Sequence, residues 1–205
     1  MEKNKAVRFD VLTLGDYGTN CYLCWDEQTG GCAVIDPGYA PETILRALQD
    51  RSLRPKMILL THGHFDHVGA VRSLAEALRL PVYLCEKDLS LPPELTCGAP
   101  LFYTNEYQEG DTVSLDALRF QVLETPGHTP GSVCLQCGDV LFTGDTLFAG
   151  SCGRTDFSGG SWDDMLRSLC RLAALPGDFT VLPGHGPAST LEEERRHNPC
   201  LGAAR

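Results

Sequence analysis

At 205 residues, with 42% apolar and 21% charged residues, the chain has the size and composition of one globular domain, spanning 1–205, with room for a substantial core. A formal net charge of −10 opposes association with a phosphate backbone, so a small molecule rather than nucleic acid is the expected partner; oligomeric state is left open. Neither a signal peptide nor a membrane-spanning run is read from Met1 onward, so a cytoplasmic setting without membrane contact is expected, with the ten cysteines as reduced thiols.

In chain order, Val7 to Leu14 and Cys21 to Trp25 read as strands separated by the turn cluster Gly15 to Asn20, and Cys32 to Ile35 as a third strand that runs into Asp36-Pro37-Gly38. Pro41 opens a helix with Ile44, Leu45 and Leu48 on one face. Met57 to Leu60 forms a buried strand end. A helical pattern through Val71, Leu74, Ala75 and Leu78 follows, stopped by Pro81 before the strand Val82 to Leu84. This strand and helix alternation predicts an α/β layered fold.

Leu91 to Tyr107 reads as a surface excursion in which Phe102, Tyr103 and Tyr107 either anchor the loop or line a substrate pocket. Strands are predicted at 112–115, 118–123, 132–136 and 140–142. Ser161 is expected to cap a helix carrying Met165, Leu166, Leu169 and Leu172, and 179–182 to form the last strand. Thr190 is expected to cap a short final helix whose charges mostly face solvent. The pairs Cys21/Cys24 and Cys134/Cys137 have zinc-ribbon spacing. They lie in strand-like runs where residues three apart face opposite ways, so packing is the expected role.

The stretch with most chemistry is Thr61-His62-Gly63-His64-Phe65-Asp66-His67-Val68-Gly69, at a strand-to-helix junction. Three imidazoles and a carboxylate within six residues are a dense set of borderline metal ligands. His62 and His64 can converge on one ion while Asp66 and His67 turn toward a second. Three further candidates follow apolar runs beside glycine: His128 in Thr125-Pro126-Gly127-His128, Asp145 in Phe142-Thr143-Gly144-Asp145, and His185 in Pro183-Gly184-His185-Gly186. One such His after a strand is commonly a turn residue; three junctions of the same build argue for ligation.

These motifs resemble the metallo-β-lactamase fold superfamily, with its His-x-His-x-Asp-His signature followed by a separate His, Asp and His. Gly144 to Phe148, Gly153-Arg154-Thr155-Asp156-Phe157, Pro183 to Gly186 and Glu194 to Pro199 resemble the glyoxalase II branch, the hydroxyacylglutathione hydrolases, in their short single-domain form. The resemblance implies a four-layer αββα sandwich of two mixed sheets flanked by helices. It implies two divalent cations, zinc by preference with iron or manganese compatible, one held by His62, His64 and His128, the other by Asp66, His67 and His185, with Asp145 bridging. It further implies Asp36 as a support behind the ligand loop, Asp66 as a group that also orients water, and Arg154 as a contact to the substrate. Pairing of Arg154 with Asp156 is the competing role.

The implied reaction is hydrolysis of an acyl thioester by a metal-bridging hydroxide. Glyoxalase II enzymes carry a C-terminal helical domain that completes their glutathione site, whereas this chain ends shortly after Pro199, so the thiol is not specified. The alternatives are a mononuclear iron persulfide dioxygenase, a lactonase or other ester hydrolase, and a β-lactamase. The full second-site ligand set argues against the first of these, and the bridging Asp145 and absence of an export signal against the last.

Overall fold

In the computed structural model, residues 7–203 are described. The first sheet runs β1 (Arg8–Leu14), β2 (Thr19–Trp25), β3 (Gly31–Ile35), β4 (Arg54–Leu59), β5 (Val82–Leu84) and β6 (Asn105–Glu106), in that spatial order. Its first two pairings are antiparallel and the next three parallel. The parallel steps need crossovers: the first is supplied by α1 (Pro41–Asp50), the second by the pair α2 (Phe65–Val68) and α3 (Val71–Leu78), and the third by the 85–104 excursion with its 3-10 turns. The second sheet is built from β7 (Thr112–Leu115), β8 (Leu118–Glu124), β9 (Val133–Cys137), β10 (Val140–Gly144), β13 (Thr180–Pro183) and β14 (Ser189–Thr190). Between β10 and β13 lie a small hairpin, β11 (Leu147–Phe148) with β12 (Ser151–Cys152), and α4 (Trp162–Ala173); α5 (Leu191–His197) and α6 (Pro199–Ala203) close the chain.

Three apolar clusters define the layers. Tyr22, Ile35, Leu59, Phe120, Leu135 and Phe142 fill the space between the two sheets. Leu23, Val34, Ile58, Ile44, Leu48 and Leu74 seal the outer face of the first sheet under α1 and α3, and Leu141, Val181, Met165, Leu169 and Leu191 do the same under α4 and α5. The result is the four-layer αββα sandwich with two mixed sheets that the resemblance implied. The central strands β3 and β10 are buried on both faces, which is why their sequences are continuous apolar runs rather than alternating, whereas the edge strand β7 alternates exposed and buried residues.

The cysteine spacing follows the pleat as expected. Cys21 faces α1 while Cys24 faces the inter-sheet core, and Cys134 and Cys137 split in the same way on the second sheet. Cys24 and Cys137 instead meet one another across the sandwich as buried thiols.

Several local expectations are refined. The helix after the ligand stretch is two pieces, broken at Gly69-Ala70. There the Asp36-Pro37-Gly38 turn presses in so closely that a Cβ at Gly38 would overlap the Asp66 carbonyl, and Pro37 accepts the Ala70 N–H at 3.0 Å. Ser161 and Thr190 cap α4 and α5 through Asp164 N–H and Glu193 N–H. Arg195 donates to the carbonyls of Ala173, Leu175 and Gly177, satisfying the end of α4. The helix expected to be the last, α5, is followed by α6, and one of its charges does not face solvent, because Glu194 is buried. Among the described residues, no helix is long and apolar enough to cross a membrane.

Phe142 touches two other aromatics of the inter-sheet core, Tyr22 at 5.3 Å and Phe120 at 6.5 Å between ring centroids. Truncation in Phe142→Ala leaves a cavity between the sheets and is expected to cost about 3–5 kcal/mol. Urea unfolding followed by circular dichroism reads this as a drop in midpoint; an unchanged midpoint would show that the sheets do not rely on that packing.

Candidate metal centre

Four loops leave one edge of the sandwich and converge. β4 delivers His62 to His67, the turn after β8 delivers His128, β10 delivers Asp145 and β13 delivers His185. The two halves are stitched together at this edge, where Val133 N–H donates to Thr61 O at 2.9 Å and Asn20 N–H to Gly184 O at 2.8 Å; within the second sheet, Gly184 N–H donates to Gly144 O at 2.8 Å. Glycine is required where the loops touch. A Cβ on Gly184 would overlap Asp145 Oδ1 and come within 2.7 Å of the His67 ring, and one on Gly153 would overlap the Asp145 carbonyl.

All seven residues singled out from the sequence are brought together. The candidate donor atoms of His62, His64 and His128 lie within 4.8 Å of one another, as do those of Asp66, His67 and His185. Asp145 stands between the groups, with Oδ2 3.4 Å from His128 Nε2 and 3.6 Å from His185 Nε2, and Oδ1 3.4 Å from His67 Nε2. All but His185 are buried.

The outer hydrogen bonds assign the imidazole protons, because their acceptors have none to give. His128 Nδ1–H donates to Arg154 O at 2.7 Å, His185 Nδ1–H to Tyr17 O at 3.1 Å, and His67 Nδ1–H to Asp36 Oδ2 at 3.0 Å. Thr61 Oγ1 gives its own proton to Asp36 at 2.6 Å and so accepts from His62 Nδ1–H at 3.1 Å. All four rings therefore turn Nε2 toward the centre, with His64 Nδ1 only 2.8 Å from His128 Nε2 and His67 Nε2 3.4 Å from His185 Nε2.

Buried His62 Nε2 and Asp145 Oδ1 have no hydrogen-bond partner. Buried ring nitrogens and a carboxylate oxygen left without partners at the point of convergence favour bound positive charge. The donor set thus fits two divalent cations, one on each side of Asp145.

The electrostatics agree. Burial and the neighbouring imidazoles push His62 well below the usual histidine range and His64 down to about 3, keeping both rings neutral and able to ligate. Burial alone would depress His67 too, but Asp145 and Asp36 overcome it and raise His67 to about 9. Burial raises the Asp66 carboxyl, yet the His185 hydrogen bond and the charges of His67 and His185 hold it below the ordinary carboxylate range.

Asp36 accepts the Thr61 N–H at 2.7 Å as well as Thr61 Oγ1 and His67, from a left-handed backbone position (φ +50°). The Arg154 side chain forms a two-point ion pair with Asp156 at 2.6 Å and lies 3.9 Å over the Phe157 ring. Its contact with the centre is through its carbonyl. Tyr17, Phe65, Phe148 and Phe157 rim the opening: Tyr17 packs edge-on against Phe65, Phe148 against His185 and Phe157 against His64.

Of the excursion aromatics, Tyr107 is buried with its hydroxyl on Leu60 O, and Phe102 lies under Arg72. Only Tyr103 lines a cavity, one of about 410 Å³ beside the ligand loop rather than over the donors. Of the two roles open to these aromatics, Tyr107 and Phe102 take the anchoring one. Sequence reading also missed two buried clasps. Glu194 accepts Gly150 N–H at 2.8 Å and Asn198 Nδ2 at 2.7 Å, and Asn198 donates to Phe148 O and Ser151 O, pinning the hairpin after Asp145. Asp88, in the turn after β5, is the other.

The sequence profile of the Metallo-beta-lactamase superfamily matches residues 14–185. The chain belongs to that superfamily. It is 35% identical to hydroxyacylglutathione hydrolase GloC of Haemophilus influenzae over 96% of this chain and 99% of that protein. Among solved structures it is similar to the BLEG-1 B3 metallo-beta-lactamase (35% identity, TM-score 0.87, 95% of this chain and 99% of that one) and to TTHA1623 in a di-iron-bound form (44%, 0.82, 93% and 98%). It is also similar to ETHE1 from Myxococcus xanthus (34%, 0.82, 95% and 85%). Membership in this superfamily, together with the His/Asp cluster, supports a metal-dependent enzyme of the metallo-hydrolase type.

Because Gly184 is wedged between Asp145 and His67, Gly184→Ala is expected to abolish binding of at least one cation while leaving the far-ultraviolet circular dichroism unchanged. Atomic absorption on the dialysed variant checks this. Full metal content would mean the wedge is not part of the centre.

Proposed function

We propose that residues 1–205 act as one hydrolase domain that cleaves acyl thioesters in the manner of hydroxyacylglutathione hydrolases. The observation that carries this reading is the inward-facing set of five imidazoles and two carboxylates on four loops, supported by the likeness to GloC. His62, His64 and His128 are proposed to hold one cation and Asp66, His67 and His185 the other, with Asp145 shared between them. Zinc is the proposed cation; iron and manganese suit the same donors. Such a pair supplies a Lewis acid for the thioester carbonyl and a water acidic enough to act as nucleophile near neutral pH.

The chain's own groups do the rest. Asp36 and the carbonyls of Tyr17 and Arg154 fix the tautomers and aim of His67, His185 and His128, so the donors need not reorganise. Asp66, which accepts the Thr19 Oγ1–H at 3.1 Å and lies 3.1 Å from His185 Nε2, is placed to orient the attacking water. The aromatic rim keeps bulk water from the acyl carbon. Water and thioester yield a carboxylic acid and a free thiol, and no side-chain nucleophile is needed. Cys152 fits this, since burial and contact with Cys200 raise its thiol to about 12, far from a reactive thiolate.

The Arg154 guanidinium stands half-exposed near the opening, where it is proposed to contact a carboxylate on the thiol portion of the substrate. Since His128 uses only the Arg154 carbonyl, the side chain can be removed without disturbing the donors. Arg154→Ala is expected to raise KM about tenfold for a carboxylate-bearing thioester at unchanged kcat. Equal KM values for parent and variant would assign the side chain to the Asp156 pair alone.

Steady-state assays of the zinc-loaded protein on a thioester panel that includes S-lactoylglutathione test the reaction itself. Turnover is expected for thioesters, with Asp145→Asn lowering kcat by more than about 100-fold, beyond the usual cost of losing an outer-sphere partner. Oxygen consumption with a persulfide, or opening of a β-lactam without thioester turnover, would contradict the proposal.

A further inference from the structure

Asp88 is fully buried, yet the function proposed above gives it no task. Every hydrogen bond that its carboxylate accepts comes from one of two ligand loops. Oδ2 takes the Gly63 N–H at 2.7 Å, between His62 and His64, and Thr129 Oγ1–H at 3.0 Å, next to His128. Oδ1 takes the Gly131 N–H at 2.6 Å. Both loops make room for it: a Cβ at Gly131 would stand 2.6 Å from Asp88 Oδ1 and 2.8 Å from its nitrogen, and one at Gly63 would stand 3.3 Å from the Asp88 Cβ.

A buried carboxylate is tolerated when several donors converge on it, and it then fixes those donors more firmly than a neutral acceptor does. The loops it joins belong to different sheets, one leaving β4 and the other preceding β9. Their direct main-chain link nearby is Val133 N–H to Thr61 O. Holding Gly63 against Thr129 and Gly131 sets how far the His62 and His64 rings stand from the His128 ring.

We infer that Asp88 is a positioning residue, an anionic clasp between the two ligand loops that sets the spacing of the three-histidine cation site. This rests on the reading of the His/Asp cluster as a metal centre. Its signature is selective: loosening the clasp weakens the site made from both loops, while the Asp66, His67 and His185 site, anchored by Asp36 and Tyr17, is largely spared. In Asp88→Asn one oxygen becomes an NH2 group that faces a backbone N–H, so at least one strut is lost while size is kept.

The test is Zn2+ binding by chelator competition on the full chain, with Co2+ absorption spectra as a second readout. The parent is expected to bind two ions. Asp88→Asn is expected to bind one ion at least tenfold more weakly, with an altered Co2+ spectrum and the other ion retained. Asp26→Asn is the structural control: Asp26 is also a buried carboxylate, accepting the N–H groups of Gln28, Thr29 and Ala117 away from the centre. It is expected to lower Tm without changing affinity for either ion.

If Asp88→Asn does not fold, Thr129→Val removes one strut and is expected to weaken the same ion, while Thr129→Ser restores it. Equal Zn2+ affinity in the parent and in the folded Asp88 or Thr129 variant overturns the inference. So does a loss of both ions in proportion to a lowered Tm. A parent that binds no Zn2+, Fe2+ or Mn2+ overturns instead the reading of the metal centre on which it stands.

Discussion

The structure depends on one electrostatic constraint: five imidazoles and two carboxylates are held together in a largely water-free space with their lone pairs facing inward. In the absence of compensating positive charge, such an arrangement is among the most costly a fold can contain. The chain commits to it twice over, by burying the donors and by turning every outer ring proton it can toward an acceptor that holds it there. Asp36, Tyr17 O and Arg154 O fix three rings in the ligating tautomer, and Thr61 passes the influence of Asp36 on to His62. The α/β sandwich serves this end, since both sheets send strand ends to one edge where loops can meet.

Much of this is legible in the sequence because metal chemistry restricts residue types severely. His62, His64, Asp66 and His67 occur within six residues, and His128, Asp145 and His185 each follow an apolar run and a glycine. The glycines mark close approach: a Cβ would stand 2.5 Å from the Met165 backbone at Gly127, 2.4 Å from Thr61 Oγ1 at Gly144 and 2.2 Å from Asp145 Oδ1 at Gly184. The strands were readable for a different reason: both sheets are covered on both faces, so Cys32 to Ile35 or Val140 to Phe142 can be only apolar.

What was not legible are the contacts between segments far apart in the chain. Asp88 lies in Glu86-Lys87-Asp88, a charged triplet of the kind found on any surface turn, and nothing nearby says that Gly63 and Gly131 will close over it. Glu194 looks like one of several helix charges until Asn198 and the β11 and β12 hairpin are in place. Arg154 shows the reverse case. Its motif marks it as important, but the importance visible in the structure belongs to its carbonyl, which any residue supplies. The break between α2 and α3 is likewise set by the distant turn at Gly38 rather than by local propensity.

The account stands or falls on two cations being held on either side of Asp145 by donors from both halves of the sandwich. An anomalous-difference map from crystals of the metal-loaded protein tests this most directly. Two peaks are predicted, one among His62, His64 and His128 and one among Asp66, His67 and His185, each within coordination distance of Asp145. A lone peak, or two peaks that leave Asp145 or His185 uncoordinated, would contradict it.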